Sequence, residues 1–291
     1  MFHSFDEMLA AAAKSDKPLW EVIRDEDCRE EAISPEESFR KMKATYRVMR
    51  ETDKAYDPAA KSASGLVGTD AGKLEKYLAS GQRLAGGFMG LVMVRALRTA
   101  ESNACMKRIV AAPTAGSCGV IPAVFLTAEE ELHKTEDEMT GALYVAAAIG
   151  GIIACRASLA GASGGCQAEI GSASAMAAGA LTYLEGGTAE MVRDATAMAL
   201  SGLLGLVCDP VAGLVEVPCV KRNVIGAVNA VTSSEMALAG IQSRIPADEV
   251  IDAMKSVGSM MHGDLRESGI GGLAGTPTGR EIREKLAGDG K

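Results

Sequence analysis

The stretch TEDEMTGALYVAAAIGGIIAC, residues 135–155, decides the fold class. Thr135 followed three residues later by Glu138 is the reciprocal capping pair that opens a helix. Behind it, residues 142–155 are apolar throughout, with Ala and Gly set among Leu, Val and Ile. That run is shorter than the 18 or more residues a membrane span needs, so it predicts a buried core helix. Residues 195–208 read the same way.

Working outward, the same signals recur. Ser4 with Glu7, and Ser34 with Glu37 behind Pro35, match capping pairs ahead of apolar patterns. Further helices are predicted over residues 86–100, 121–134, 167–184, 188–207, 224–242 and 247–261, the last opened by Pro246. Almost no segment alternates with period two. Hydrophobic residues make up 47% of the 291 but aromatic ones only 4%, so the interior must be built from Ala, Leu, Met, Val and Ile on closely packed helices. The expectation is an all-α fold, one compact domain overall, in which residues 1–57 form an amphipathic helical portion packed on a catalytic unit of residues 58–291. The tail, residues 287–291, reads as disordered.

A net charge of −8 argues against nucleic acid or an anionic membrane surface as a partner, since both need a basic footprint. The N-terminus MFHSFDEMLAAAAK lacks the basic start of a secretory signal, so a cytoplasmic protein is expected. Seven cysteines, an odd number, then point to thiols or metal ligands and not to a disulfide framework.

Five small-residue loops interrupt the helices: KSASGLVGTDAG (61–72), APTAGSCGVIP (112–122), GASGGC (161–166), CDPVAGLVEVPC (208–219) and SGIGGLAGTPTG (268–279). As a helix, residues 208–219 would hold their terminal thiols roughly 16 Å apart. Pro210, Gly213 and Pro218 instead let the chain fold back. With Cys166, placed before a predicted helix where the macrodipole favours a thiolate, the pattern is C-x41-C-x10-C. Small buried hydrophobes would explain the three cysteines equally well. Cys105 and Cys155 fall inside helical patterns and read as core; Cys28 reads as an incidental surface residue. His3, His133 and His262 read as exposed, and no C-x2-C pair is present, so a four-ligand zinc site is disfavoured. Three thiolates without a fourth suit a cubane iron–sulfur cluster with one iron open as a Lewis acid. The loop 112–122, with Thr114, Ser117 and the amides around Gly116 and Gly119, and the loop 61–72, with Ser62, Ser64 and Thr69, offer hydroxyls and amides to a carboxylate, although small residues where helices turn or cross closely would explain either loop. No G-x-x-x-x-G-K-[ST] and no strand-borne G-x-G-x-x-G occurs, so nucleotide binding is disfavoured.

Four blocks in order, NACMKRIVAAPTAGSCGVIPAV (103–124), GCQAEIGSASAMAAG (165–179), GLVCDPVAGLVEVPCVKRN (205–223) and RESGIGGLA (266–274), resemble the catalytic alpha portion of the iron–sulfur-dependent L-serine dehydratases, or L-serine ammonia-lyases. The resemblance implies an oxygen-sensitive 4Fe–4S cluster on Cys166, Cys208 and Cys219, and conversion of L-serine to pyruvate and ammonia by α,β-elimination. Substrate-binding groups map to Ser64, Gly65, Thr114, Gly116 and Ser117. Lys61, beside the serine-rich loop, is a candidate base if it is buried, although a solvated lysine or a group from a partner explains it as well. Single-chain relatives carry an extra regulatory-type domain ahead of the catalytic region. Here about sixty residues precede the serine-rich loop, so a separate beta subunit is expected. Some relatives end in a cysteine that can reach the cluster, whereas TPTGREIREKLAGDGK contains none. Rival readings are a pyridoxal-phosphate dehydratase, which needs a Schiff-base lysine and a phosphate cup, and a non-catalytic scaffold or electron-transfer subunit.

Overall fold

Helix α9 (Ser172–Leu184) is the axis around which the computed structural model is built; the structure describes residues 1–81 and 84–289. Every residue of α9 from Ser172 to Thr182 is buried. A helix without a polar face has no side to give to water, so it must be enclosed by others. It is covered by α6 (Val120–Glu131), α7 (Glu136–Arg156), α10 (Ala189–Ser201) and α11 (Cys219–Leu238). A buried methylene is worth about 0.8 kcal/mol, so an Ala-rich helix gains little per residue and needs close neighbours all round. Two of its hydroxyls are paired inside the core: Ser174 Oγ donates to Gly226 O at 2.8 Å, and Thr182 Oγ1 meets Ser234 Oγ at 2.9 Å, both on α11.

The expected helix at residues 142–155 is the C-terminal part of α7, which runs 21 residues from the Thr135–Glu138 capping box. By length and composition α7 could cross a membrane, yet 72% of its apolar window lies inside the protein. Around this core stand α1 (Phe5–Ala13), α2 (Leu19–Glu31), α3 (Pro35–Lys54), α4 (Asp70–Ala79), α5 (Gly87–Ala104), the single turn α8 (Gly161–Gly164), α12 (Ala247–Met260) and α13 (Pro277–Asp289). Among the described residues there is no strand, and the fold is all-α. Buried side chains of α1 to α3, among them Phe5, Met8, Ile23, Tyr46 and Met49, belong to the same hydrophobic cluster as Ile149 and Ile152 of α7. Asp248 in the first turn of α12 accepts the Phe5 amide at 3.0 Å, satisfying a free N–H at the start of α1.

Several expectations are corrected. Helices α4 and α13 lie where no helix was predicted, and α2 lies in the expected helical portion without having been delimited there. The tail is helical as far as Asp289, and residues 290–291 lie outside the described ones. The predicted helix over residues 188–207 stops at Ser201, because Gly202 and Gly205 open a turn, and the one predicted from 224 begins earlier, at Cys219. Cys28 is buried in the core, since it falls on the inward face of α2, whereas Cys155 is exposed because α7 is leaving the core there. The three histidines are exposed, as expected.

Candidate active site

The three cysteines singled out from the sequence arrive from three directions and are all buried. Cys166 directly precedes a π-helical turn, Gln167–Gly171, that leads into α9; such turns are frequent at functional sites. Gln167 donates its backbone N–H to Leu206 O at 2.9 Å and takes the Gly205 N–H on its Oε1 at 2.8 Å, so the chain leaving α10 is stitched beside Cys166. That stitching delivers Cys208. Cys208 is pinned by its own N–H to Leu265 O (2.8 Å) and by Glu267 N–H to its carbonyl (2.6 Å), which recruits the RESGIGGLA block. The loop then turns back through Gly213 N to Pro210 O (3.1 Å) and Val211 N to Val217 O (2.8 Å), and Cys219 becomes the first residue of α11. Asn223, one turn on, donates to Cys219 O (3.0 Å) and Gly116 O (2.8 Å) and accepts from Gly119 N (2.8 Å), fastening residues 112–122 to the same end of α11.

The thiols are electrostatically unequal. Contact with the Cys208 thiol holds Cys166 down, against its burial, and the Arg222 guanidinium helps. Cys208 is pushed well up, by Cys166 first and by burial second. Cys219 is pushed up to about 12 by burial and by the negative charge of Cys166 and Glu169. Of the three thiols, only Cys166 is held down. Arg222 is itself held by Asp209 at 2.9 Å.

Glu169, on the π-helical turn, occupies the centre of the arrangement. Its Oε1 accepts the Thr114 hydroxyl at 2.6 Å and its Oε2 lies 3.8 Å from Cys208 Sγ. Burial holds its carboxyl above the usual range, while Thr114 opposes that. Thr114 Oγ1 is also 3.0 Å from the buried Ser117 Oγ, and Gly116 lies so close that a Cβ there would come within 3.2 Å of Glu169 Oε1. Gly161 closes the other side: a Cβ would stand 2.7 Å from Glu169 Oε2 and 2.9 Å from Cys208 Sγ.

The serine-rich loop joins through a different carboxylate. Ser62 donates to Glu216 Oε2 at 2.8 Å, and Ser64 donates to the same oxygen. Glu101 of α5 accepts Asp70 N (2.7 Å) and Ala71 N (3.3 Å) and so caps α4, which fixes where the loop ends. Gly68 has φ +119 and lies so near Ala60 that a Cβ would meet its carbonyl oxygen at 2.3 Å. Gly65 is exposed, with φ +75. Lys61 is exposed as well, so this chain alone does not bury it as a role as base would require.

The structure thus brings Thr114, Gly116 and Ser117 against the cysteines through Glu169, and Ser64 against the Cys208–Cys219 loop through Glu216. Sequence reasoning missed both acids, together with Gln167 and Asn223. A signal existed: Glu169 falls three residues after Cys166, and Glu216 is an acid between two valines in an apolar loop. Cys118, beside Ser117, is fully buried with its sulfur 3.9 Å from Thr99 O, facing away from this cluster.

Among the described residues, no three His, Cys, Asp or Glu side chains close on one point as a single metal ion requires. Three free, buried thiols on separate segments are instead a soft donor set of the kind that iron–sulfur clusters, larger than one ion, take up.

The family model described as serine dehydratase alpha chain matches residues 14–274. The chain is 46% identical over 288 residues to a Bacillus subtilis (strain 168) protein named probable L-serine dehydratase, alpha chain, a match covering 99% of this chain and 96% of the other. It is 40% identical over 273 residues to the Peptoniphilus asaccharolyticus L-serine dehydratase, alpha chain, covering 94% of each. A Latilactobacillus sakei protein, also named probable L-serine dehydratase, alpha chain, is 56% identical over 193 residues, which cover 66% of this chain and 92% of that one. With matches of this extent, and the motif blocks gathered at one site, the chain belongs to the serine dehydratase alpha-chain family.

Proposed function

We propose that this chain is the catalytic alpha chain of an L-serine ammonia-lyase, which removes water from L-serine and, after hydrolysis of the resulting enamine, releases pyruvate and ammonia. The observation that carries the reading is the gathering of three buried thiols, Cys166, Cys208 and Cys219, beside a hydroxyl-bearing loop tethered to Cys208 through Thr114 and Glu169. A 4Fe–4S cluster on these thiolates would have one iron without a protein sulfur and would supply Lewis acidity for departure of a hydroxyl. The chain's own groups bind and orient. Asn223 holds the Gly116 carbonyl and the Gly119 amide, which keeps the Thr114–Ser117 loop fixed beside the site before a substrate arrives. Thr114 is fixed by Glu169 with its hydroxyl proton on that acid. Lys61 stays a solvated lysine in this reading. A separate beta chain covering the loops would exclude water there; the alpha-chain names of the relatives support that partner.

The test is anaerobic reconstitution of the chain with and without its beta partner, followed by iron and sulfide analysis and a pyruvate assay with L-serine. About four irons and four sulfides per chain are expected, with turnover strongest in the pair. Pyruvate formation by iron-free protein would overturn the cluster, and no pyruvate from the fully loaded pair would overturn the substrate.

A further inference from the structure

Glu216 sits inside the Cys208–Cys219 loop, three residues before Cys219, and is 8% exposed. Its backbone is fixed at the entry to α11: the carbonyl accepts Val220 N at 3.0 Å and the N–H donates to Leu214 O at 2.7 Å. Its side chain leaves that anchor and crosses to the serine-rich loop. There a single oxygen, Oε2, receives both the Ser62 and the Ser64 hydroxyl protons. Each hydroxyl then accepts an amide of its own loop, Ser64 Oγ from Leu66 N at 3.1 Å and Ser62 Oγ from Val67 N at 3.4 Å. A hydroxyl has one proton and two lone pairs. The two hydroxyl oxygens also stand 3.1 Å apart, where either could donate to the other; with Ser64, the nearer to Glu216, giving its proton there, Ser64 offers only a lone pair toward a ligand.

We propose that Glu216 is the positioning residue of the serine-rich loop, acting through one acceptor oxygen and holding Ser64 as an acceptor for the donor groups of a small hydroxy-amino acid. This rests on reading residues 61–68 as part of the L-serine site. Two features follow from the geometry. Because both hydroxyls land on one oxygen, a glutamine amide oxygen in the same place can take both, so Glu216→Gln keeps the clamp. Because the loop also rests on a small apolar cluster of Val67, Ala71, Leu97, Ala100 and Val220, loss of the clamp leaves the chain folded.

The experiment compares wild type, Glu216→Gln and Glu216→Ala as cluster-loaded full chains with the beta partner. Hydrogen–deuterium exchange is read over residues 61–68, and kcat and KM with L-serine. In Glu216→Ala the amides of Leu66 and Val67 should exchange about tenfold faster or more, as a lost buried hydrogen bond of about 1.4 kcal/mol implies. KM should rise about tenfold with kcat changed less than about threefold, since ground-state and transition-state binding are lost together. Glu216→Gln should stay within about threefold of wild type in all three readouts. Unchanged exchange in Glu216→Ala, faster exchange without a rise in KM, or a Gln variant as impaired as Ala would overturn the proposal. If wild type does not turn over L-serine, the function proposed above fails, and exchange alone decides the clamp, which stands only if Gln keeps the protection that Ala loses.

Discussion

Thr114 Oγ1 and Glu169 Oε1 are 2.6 Å apart, joining a loop before α6 to the π-helical turn that carries Cys166 into α9. The bond is partly buried and its acceptor is a carboxyl group, so deleting Thr114 takes the donor from Glu169 Oε1 beside Cys208, and deleting Glu169 leaves Thr114 held only by Ser117. Thr114→Val and Glu169→Ala should each lower kcat/KM at least about tenfold. Made together they should cost much less than the sum, with a coupling of about 1–3 kcal/mol. Additive losses would show that the two groups act separately.

Single Cys→Ser changes at 166, 208 and 219 should abolish bound iron and sulfide after anaerobic reconstitution. The same change at Cys105, Cys118 or Cys155 should leave both intact, and at Cys28, which is buried, it should cost about 1 kcal/mol of stability without loss of iron. Full iron in the Cys208→Ser, Cys219→Ser double variant would show that these thiols are not the ligands.

Gly161→Ala places a methyl against Cys208 Sγ and Glu169 Oε2 at less than contact distance. Overpacking of this kind costs about 1–3 kcal/mol, and the strain falls on the sulfur, so iron retention after gel filtration should drop along with the melting temperature. Gly263→Ala, which meets nothing within 4 Å, is the matched control and should behave as wild type. Equal iron retention in the two variants would remove Gly161 from the site.

Glu136, at the start of α7, accepts both Arg47 Nε (2.8 Å) and Nη2 (3.0 Å) and lies 3.2 Å from Lys43 Nζ. These contacts, the Arg47 hydrogen bonds foremost, lower its pKa to about 2 from an ordinary 4.5. A carboxylate with a depressed folded pKa stabilises above its unfolded value, and that stability is lost as pH falls from about 4.5 toward 2. Arg47 is half exposed, so solvent screening leaves a contribution on the order of 1–2 kcal/mol. Unfolding free energies of wild type and Glu136→Gln from urea titrations should differ by that amount at pH 7 and draw together between pH 4.5 and 3. A gap constant across that range would mean that the ion pairs carry none of it.

Helix type and many helix starts were legible in the sequence. Ser4, Ser34 and Thr135 each accept the amide three residues on, because a capping hydroxyl meets its partner within one turn and needs nothing from the rest of the chain. Helix α2 was harder to see, since it opens after Pro18 without a side-chain cap and mixes buried Val22 and Ile23 with charge. Helix α4 was also hidden. Its cap is Glu101, thirty-one residues further on than Asp70, so no local pattern announces it.

The amino-acid sequence by itself determined the all-α class, the small-residue loops and the three cysteines in their motif blocks, because helix periodicity, capping and loop chemistry are properties of neighbours along the chain. Only the tertiary structure decided that Gln167 stitches Cys208 beside Cys166, that Glu169 and Glu216 are the acids holding the two hydroxyl-bearing loops, and that Lys61 stands in solvent while Cys28 does not. Each of those facts depends on hydrogen bonds and burial between segments from tens to more than a hundred residues apart. Such contacts form only when the Ala-rich helices close around α9, and they leave no period in the sequence from which to read them.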